Sequence, residues 1–274
     1  MRAAADKTLR VALGGLGAVG LPVARRLAAG LPGLSLAAVS ARNPDRAAAR
    51  LRPLGIAVPI VPLAALAENA DIIVESLPSA LFRAIAEPAL DAGRLFLPLS
   101  VGALLDHPDL IERAKRGGAR IIVPTGALLG LDAVRAAAEG EIRSVTLVTR
   151  KPPAGLAGAP YLVERGLSLT GLDRPLKLFE GAARDGVRGF PANVNVAAAL
   201  ALAGIGPDRT RLEIWADPGI ERNTHRIEVE ADSVHLSMTI ENVPSPENPR
   251  TGRITPLSVI ACLRSLTETV RIGS

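Results

Sequence analysis

The sequence predicts an α/β protein in two parts: a doubly wound parallel sheet at the N-terminus, then an α+β region, with a last helix that returns to the first part. Three observations carry this reading. Strand-like and helix-like apolar patterns alternate over about the first 125 residues. A tight glycine run, Gly15-Leu16-Gly17-Ala18-Val19-Gly20, separates the first strand pattern from the first helix pattern. After Pro124 the alternation stops, and the helices and strands that follow suit an antiparallel or mixed sheet.

Taken in order, Leu9 to Gly14 is a short apolar strand, and Leu21, Val23, Ala24, Leu27 and Ala28 recur at helical spacing until Gly30. Leu34 to Ser40 is the second strand and completes a βαβ unit, whose crossover is right-handed. A helix over Asp45 to Leu51, a short strand near Ile56 to Pro59 and a helix near Leu63 to Asn69 lead to the strand Ala70 to Glu75. Next come a helix from Ala80 to Ala92, a strand from Leu95 to Leu99, a helix from Pro108 to Arg116 with proline at its tolerated first turn, and a strand from Ala119 to Val123.

Beyond Pro124, Leu131 to Glu139 reads as helix, Ile142 to Arg150 alternates as a strand does, and Lys151 to Gly158 is a Pro/Gly-rich loop. Ala192 to Ala203 is a strongly apolar helix. Arg211 to Ala216, His225 to Ala231 and Val234 to Glu241 have strand character, and a Pro/Asn-rich loop, Asn242 to Gly252, precedes the apolar helix Pro256 to Val270. The expected boundaries are residues 1–127 with 253–274 for the first domain and 128–252 for the second.

With 48% hydrophobic residues in 274, both parts can fill a core, and with only 2% aromatics that core consists of many small aliphatic contacts. The net charge of +5 is spread over scattered arginines, with lysine only at Lys7, Lys115, Lys151 and Lys177. No basic run or aromatic platform suggests nucleic acid, whereas a modest positive potential suits an anionic small molecule. Cys262 is the lone cysteine, so neither an intrachain disulfide nor a multi-cysteine metal site is available, and no metal is expected. No stretch approaches the apolar length of a membrane span and the N-terminus carries no apolar leader, so the expectation is a cytoplasmic protein without a membrane partner.

The chemistry starts at the glycine run, which matches GxGxxG in the strand-turn-helix context that makes the motif informative. Gly15 permits the tight turn, Gly17 lets a pyrophosphate approach the backbone, and Gly20 lets the helix pack closely on the strand. The helix N-terminus then offers unpaired N–H groups to phosphate, so the run, with Leu16, Ala18 and Val19, reads as the Rossmann cradle of a nicotinamide dinucleotide. A glycine-rich turn without a ligand is the bland alternative.

The second strand ends in Val39-Ser40-Ala41-Arg42-Asn43, without the acid that selects NAD through the adenosine ribose. Ser40 and Asn43 suit a ribose hydroxyl and Arg42 a 2′-phosphate, which leaves both NAD and NADP open. Three small-residue turns follow later strands: Glu75-Ser76-Leu77-Pro78-Ser79, Ser100-Val101-Gly102-Ala103 and Pro124-Thr125-Gly126-Ala127. They lie at the carboxyl edge where open α/β sheets bind ligands, and Ser76 is a candidate cofactor contact. Of the histidines, His107 falls in a surface turn and His235 in an alternating strand, while His225 begins a strand, where an imidazole can sit at a cleft mouth and transfer protons. A structural role for His225 stands beside that reading.

Together with the glycine run, Ser100 to Ala103 and Pro124 to Ala127, the segments Phe190-Pro191-Ala192-Asn193-Val194-Asn195-Val196-Ala197-Ala198, Ala216-Asp217-Pro218, Arg222-Asn223-Thr224-His225 and Glu241-Asn242-Val243-Pro244 resemble the L-aspartate dehydrogenase family over nearly the whole chain. The resemblance implies oxidative deamination of L-aspartate with NAD or NADP, giving iminoaspartate and then oxaloacetate and ammonia; in some settings the imine feeds NAD biosynthesis. It implies that His225 is the catalytic histidine and that Asn195 and Ala127 bind the cofactor. It also implies a homodimer built on a substrate and dimerisation domain, and a C-terminal helix returning to the nucleotide domain.

A dicarboxylate needs cationic or N–H anchors, and Arg150 and Lys151, at the end of the second domain's first strand, are candidates alongside Asn193 and Asn223. Two other readings stay open: an NADP-dependent dehydrogenase or reductase for another amino or keto acid, and a catalytically silent NAD(P)-binding sensor.

Overall fold

The computed structural model describes residues 8–191, 194–248 and 251–273, which fall into two compact units. The first runs to Pro124 and takes up Pro256–Ile272; the second spans Thr125–Thr255.

Unit 1 follows the order β1 (Leu9–Gly14), α1 (Gly20–Ala28), β2 (Leu34–Ser40), α2 (Pro44–Leu51), α3 (Leu66–Asn69), β3 (Ile72–Glu75), α4 (Phe82–Asp91), β4 (Leu95–Pro98), α5 (Val101–Asp106), α6 (Asp109–Gly117) and β5 (Arg120–Ile121). The strands form a parallel sheet in the order β2-β1-β3-β4-β5. The chain winds outward both ways from β1, so the switch point that opens a crevice in such sheets lies at the carboxyl ends of β1 and β3. Val11, Leu13, Ile73 and Val74 are excluded from solvent, as strands covered by helices on both faces require. Leu27 of α1, Leu51 of α2, and Val259 and Leu263 of the helix Ile254–Ser265 share one core cluster, which places the C-terminal helix on the α1 face. Leu66, Phe82, Ile85, Leu90 and Leu110 form the core of the opposite face, where Phe82 and Phe96 meet edge to face at 5.8 Å.

The strand expected near Ile56 to Pro59 is reduced to an isolated parallel bridge between Val39 and Ile60. Pro59 and Pro62 flank it, and residues without an N–H cannot extend a ladder. The C-terminal helix stops at Ser265 instead of Val270, because the Ser265 hydroxyl donates to the Cys262 carbonyl and the Thr267 hydroxyl to Pro32, bonds that compete with helix continuation.

Unit 2 comprises α7 (Leu131–Ala137), β6 (Ile142–Lys151), α8 (Pro153–Leu156), α9 (Pro160–Glu164), β7 (Leu176–Ala182), α10 (Ala183–Gly189), α11 (Asn195–Ala203), β8 (Thr210–Ala216), β9 (Asn223–Ala231), β10 (His235–Asn242) and the start of α12 (Ile254–Ser265). Its sheet has the order β10-β9-β6-β8-β7 and is mixed, with β6 and β8 parallel and the other neighbours antiparallel. Burial alternates along β6, β8 and β9, so one face is covered by helices and the other is open. The sequence reading missed β7, α5, α9 and α10, and the loop it placed over Lys151 to Gly158 holds the end of β6 and the short helix α8. In β7 the register shifts between Lys177 and Phe179, which breaks the period-two signal on an edge strand.

Candidate active site

The turn between β1 and α1 distinguishes its three glycines by what surrounds them. Gly15 has φ of 95°, and a Cβ there would lie 2.5 Å from the Ser76 carbonyl oxygen. A Cβ on Gly20 would lie 2.0 Å from the Gly15 oxygen, so both positions are glycine because the fold leaves no room. Gly17 is exposed and a Cβ there would meet nothing within 4 Å. Among the described residues nothing requires glycine at that position, so the backbone there is open to a ligand's close approach, and the cradle fits a dinucleotide pyrophosphate. Ser76 fixes the turn from β3, its hydroxyl donating to Gly14 O at 3.0 Å. Leu16 is buried, and Ala18 and Val19 are half-buried.

Beside the turn, Ser40 is buried at the end of β2 and its carbonyl accepts the Gly15 N–H at 2.8 Å. Arg42 is exposed. Asn43 is engaged elsewhere: its side-chain oxygen accepts the Arg46 N–H at 2.9 Å and caps α2. Arg50, which the sequence reading did not single out, reaches from α2 to donate to the Leu16 carbonyl at 2.7 Å, and so places a guanidinium at the glycine turn.

Glu75, at the end of β3, is fully buried. One carboxylate oxygen accepts from Leu77 N–H (2.7 Å) and the Ser100 hydroxyl (2.9 Å); the other accepts from Leu99 N–H (3.0 Å) and Ser100 N–H (2.8 Å). Burial raises its pKa, opposed by these four donors. The side chain ties the turns after β3 and β4 together.

In unit 2 the covered face of the sheet carries a polar cluster. Thr149 on β6 stands opposite His225 on β9, and Thr149 Oγ1 lies 3.0 Å from His225 Nδ1. Lys151 and Asn223, each two residues along, share that face by the pleat. Asn242 on β10 stands opposite Asn223 and joins them. Thr149, Lys151, Asn223, His225 and Asn242 are all buried. The His225 pKa is lowered to about 3, first by burial and then by the charge of Lys151, so the imidazole is neutral across the physiological range. The Asn242 amide N–H donates to the Ala127 carbonyl at 3.0 Å, which ties the cluster to a turn where Gly126 has φ of 65° and the Leu128 N–H returns to Thr125 O.

The structure thus brings His225, Lys151 and Asn223 onto one face and puts Arg150 on the other, where it pairs with Asp217 at 3.1 Å and stacks 4.7 Å from the Trp215 ring centre. Asn195 is the first residue of α11, and Asn193 lies outside the described residues. Thr149 and Asn242 went unassigned in the sequence because only strand pairing reveals that they face His225 and Asn223. Among the described residues no group of three or more His, Cys, Asp or Glu is placed to hold a metal ion, and no helix is long and apolar enough to cross a membrane.

The parallel sheet with its glycine turn, joined to a second unit holding a buried imidazole and a lysine, defines an NAD(P)-binding oxidoreductase. Residues 15–124 match the NAD-binding domain of homoserine dehydrogenase and residues 132–266 the C-terminal domain of aspartate dehydrogenase. The chain is 57% identical over 267 residues to L-aspartate dehydrogenase 3 of Bordetella bronchiseptica, covering 97% of this chain and 98% of that one. It is 54% identical over 270 residues to the L-aspartate dehydrogenase of Bradyrhizobium diazoefficiens, covering 98% and 96%. The crystal structure of aspartate dehydrogenase from Thermotoga maritima has the same fold, with a TM-score of 0.72 at 22% identity over 97% of this chain and 99% of that one. The chain belongs to the L-aspartate dehydrogenase family.

Proposed function

We propose that this chain catalyses the NAD(P)-dependent oxidative deamination of L-aspartate to iminoaspartate, which water converts to oxaloacetate and ammonia. The observation that carries the reading is the buried face of unit 2, where a neutral imidazole, a lysine and an asparagine amide lie together in a chain this similar to L-aspartate dehydrogenases. Lys151 takes a substrate carboxylate in a charge-assisted hydrogen bond and Asn223 adds an amide N–H. Gly15 to Gly20 and Ser76 would hold the cofactor's pyrophosphate, Ser40 and Arg42 its adenosine ribose, and Ala127 and Asn195 further parts of it. When bound, NAD or NADP accepts the hydride that leaves Cα.

The protein's own task is the proton. Thr149 engages His225 Nδ1, which leaves Nε2 as the nitrogen for the chemistry. Nε2 takes a proton from the substrate ammonium, so that the amine lone pair forms the C=N bond as hydride departs, or from the water that then adds to the imine carbon. In the free protein the imidazole is a weak base. A dicarboxylate beside Lys151 offsets the lysine charge and raises its basicity, so the base strengthens when substrate arrives.

The cofactor choice is NAD or NADP: no acid at the end of β2 repels a 2′-phosphate, and Arg42 and Arg50 are cations near the turn. The reading includes a homodimer, which light scattering of the purified protein measures. The deciding experiment is reduction of NAD and NADP with a panel of amino acids and reduction of keto acids in reverse. Turnover confined to aspartate and oxaloacetate with ammonia supports the proposal. Turnover with a different amino or keto acid replaces the substrate, and cofactor binding without any turnover leaves a silent sensor.

A further inference from the structure

We infer that Asn242 is a ligand-binding residue whose amide oxygen accepts a hydrogen bond from an N–H group of the molecule bound at the His225 cluster. The side chain is 3% exposed, and its Nδ2 lies 3.0 Å from the Ala127 carbonyl oxygen. A carbonyl can only accept, so the amide nitrogen is fixed on that side and Oδ1 faces the other way. Oδ1 is a buried side-chain oxygen with no hydrogen-bond partner, and no other buried side-chain nitrogen or oxygen among the described residues shares that condition. A buried amide oxygen left unpaired is destabilising, and a protein that keeps one gains from it when a donor arrives.

The surroundings fit a donor from outside the chain. Asn242 stands directly opposite Asn223 and Ile240 opposite His225, so the amide is one pleat repeat from the imidazole on the same face. Gly252 lies alongside, and a Cβ there would come within 3.1 Å of Oδ1. A side chain at 252 would press on the amide, so glycine stands there. An acceptor-only atom rejects ionised carboxylate and phosphate oxygens and takes a hydrogen-bond donor, N–H or O–H. Resting on the proposed function, the N–H donors such a ligand brings are the amino group of aspartate and the carboxamide of the nicotinamide.

The test compares Asn242→Leu, which removes both amide atoms, with Asn242→Asp, which keeps an acceptor at Oδ1 and loses the donor to Ala127. The readouts are the NADH dissociation constant by fluorescence titration and the KM for aspartate at saturating cofactor. The leucine variant is expected to weaken one of them by about tenfold or more, while the aspartate variant stays within about threefold of the parent by the same scale. A rise in the NADH constant alone assigns the donor to the carboxamide, and a rise in aspartate KM alone assigns it to the amino group. Equal losses in both variants would mean that the amide only holds the Ala127 turn, and no loss in either would mean that water fills the site; each overturns the inference. Asn242→Ala replaces the leucine variant if circular dichroism finds it unfolded. Absence of aspartate turnover in the parent would defeat the proposed function, while the NADH titration, which needs no turnover, and calorimetric titration of amino acids would still judge Asn242.

Discussion

Acidification should destabilise unit 2 through His225 in a way that one substitution removes. The imidazole has its pKa lowered from 6.5 to about 3 in the folded chain, because it is buried and stands near Lys151. Between those values the unfolded chain binds a proton that the folded chain refuses, so the stabilisation is complete above 6.5 and is lost as pH falls toward 3. At about 1.36 kcal/mol per unit, the loss is on the order of 1 kcal/mol near pH 5.5, roughly 3 kcal/mol near pH 4.5, and approaches roughly 5 kcal/mol below the folded value. Urea titrations of the parent and of His225→Gln, which is neutral throughout, measure the difference. Trp215 is the single tryptophan and lies in β8, so its fluorescence follows the unit that holds His225. Parallel pH dependences in the two proteins would refute the reasoning, since they would mean that the imidazole is hydrated and free to protonate in the folded chain.

The glycine turn gives a contrast: Gly17→Ala should leave the melting temperature unchanged and weaken NADH binding by about 1.4 kcal/mol, or tenfold, or more. Gly20→Ala, whose Cβ would lie 2.0 Å from Gly15 O, should lower the melting temperature. Glu75→Gln turns an amide N–H toward backbone N–H donors and leaves at least one of them without an acceptor, so a cost of about 2 kcal/mol in the unfolding free energy of unit 1 is expected by denaturant titration. Lys151→Met should raise the His225 pKa in an NMR titration and raise aspartate KM roughly tenfold or more, whereas Arg150→Met, on the opposite face of the sheet, should leave KM within about twofold by the same scale.

Much of unit 1 was legible because its signals are local. The glycine run, the apolar strands and the helical spacing of Leu21, Ala24 and Leu27 each specify an element without knowledge of the rest. Where prolines 59 and 62 interrupt the pattern, composition suggested a strand that the hydrogen-bond ladder cannot support. The candidate site was legible only in part, because its geometry is made by strand pairing. His225 and Lys151 stood out as chemistry-bearing residue types, but which of Arg150 and Lys151 shares a face with His225 follows from the register of β6 against β9. Thr149 is unremarkable in sequence, and Asn242, though it stands in the Glu241 to Pro244 segment, gains a place in the site only as the cross-strand partner of Asn223, as Thr149 does opposite His225. Glu75 was visible as the end of a strand, and its four donors come from turns that no local pattern brings together.

The most direct test of the account is the aspartate-dependent reduction of NAD and NADP by the parent and by His225→Gln, with the NADH dissociation constant measured for both. The account expects turnover on aspartate in the parent, a loss of kcat of about 100-fold or more in the variant, the scale of a lost acid/base group, and an unchanged NADH constant. Turnover on aspartate that survives the substitution with little change would contradict the assignment of proton transfer to His225, and its absence in the parent would contradict the activity itself.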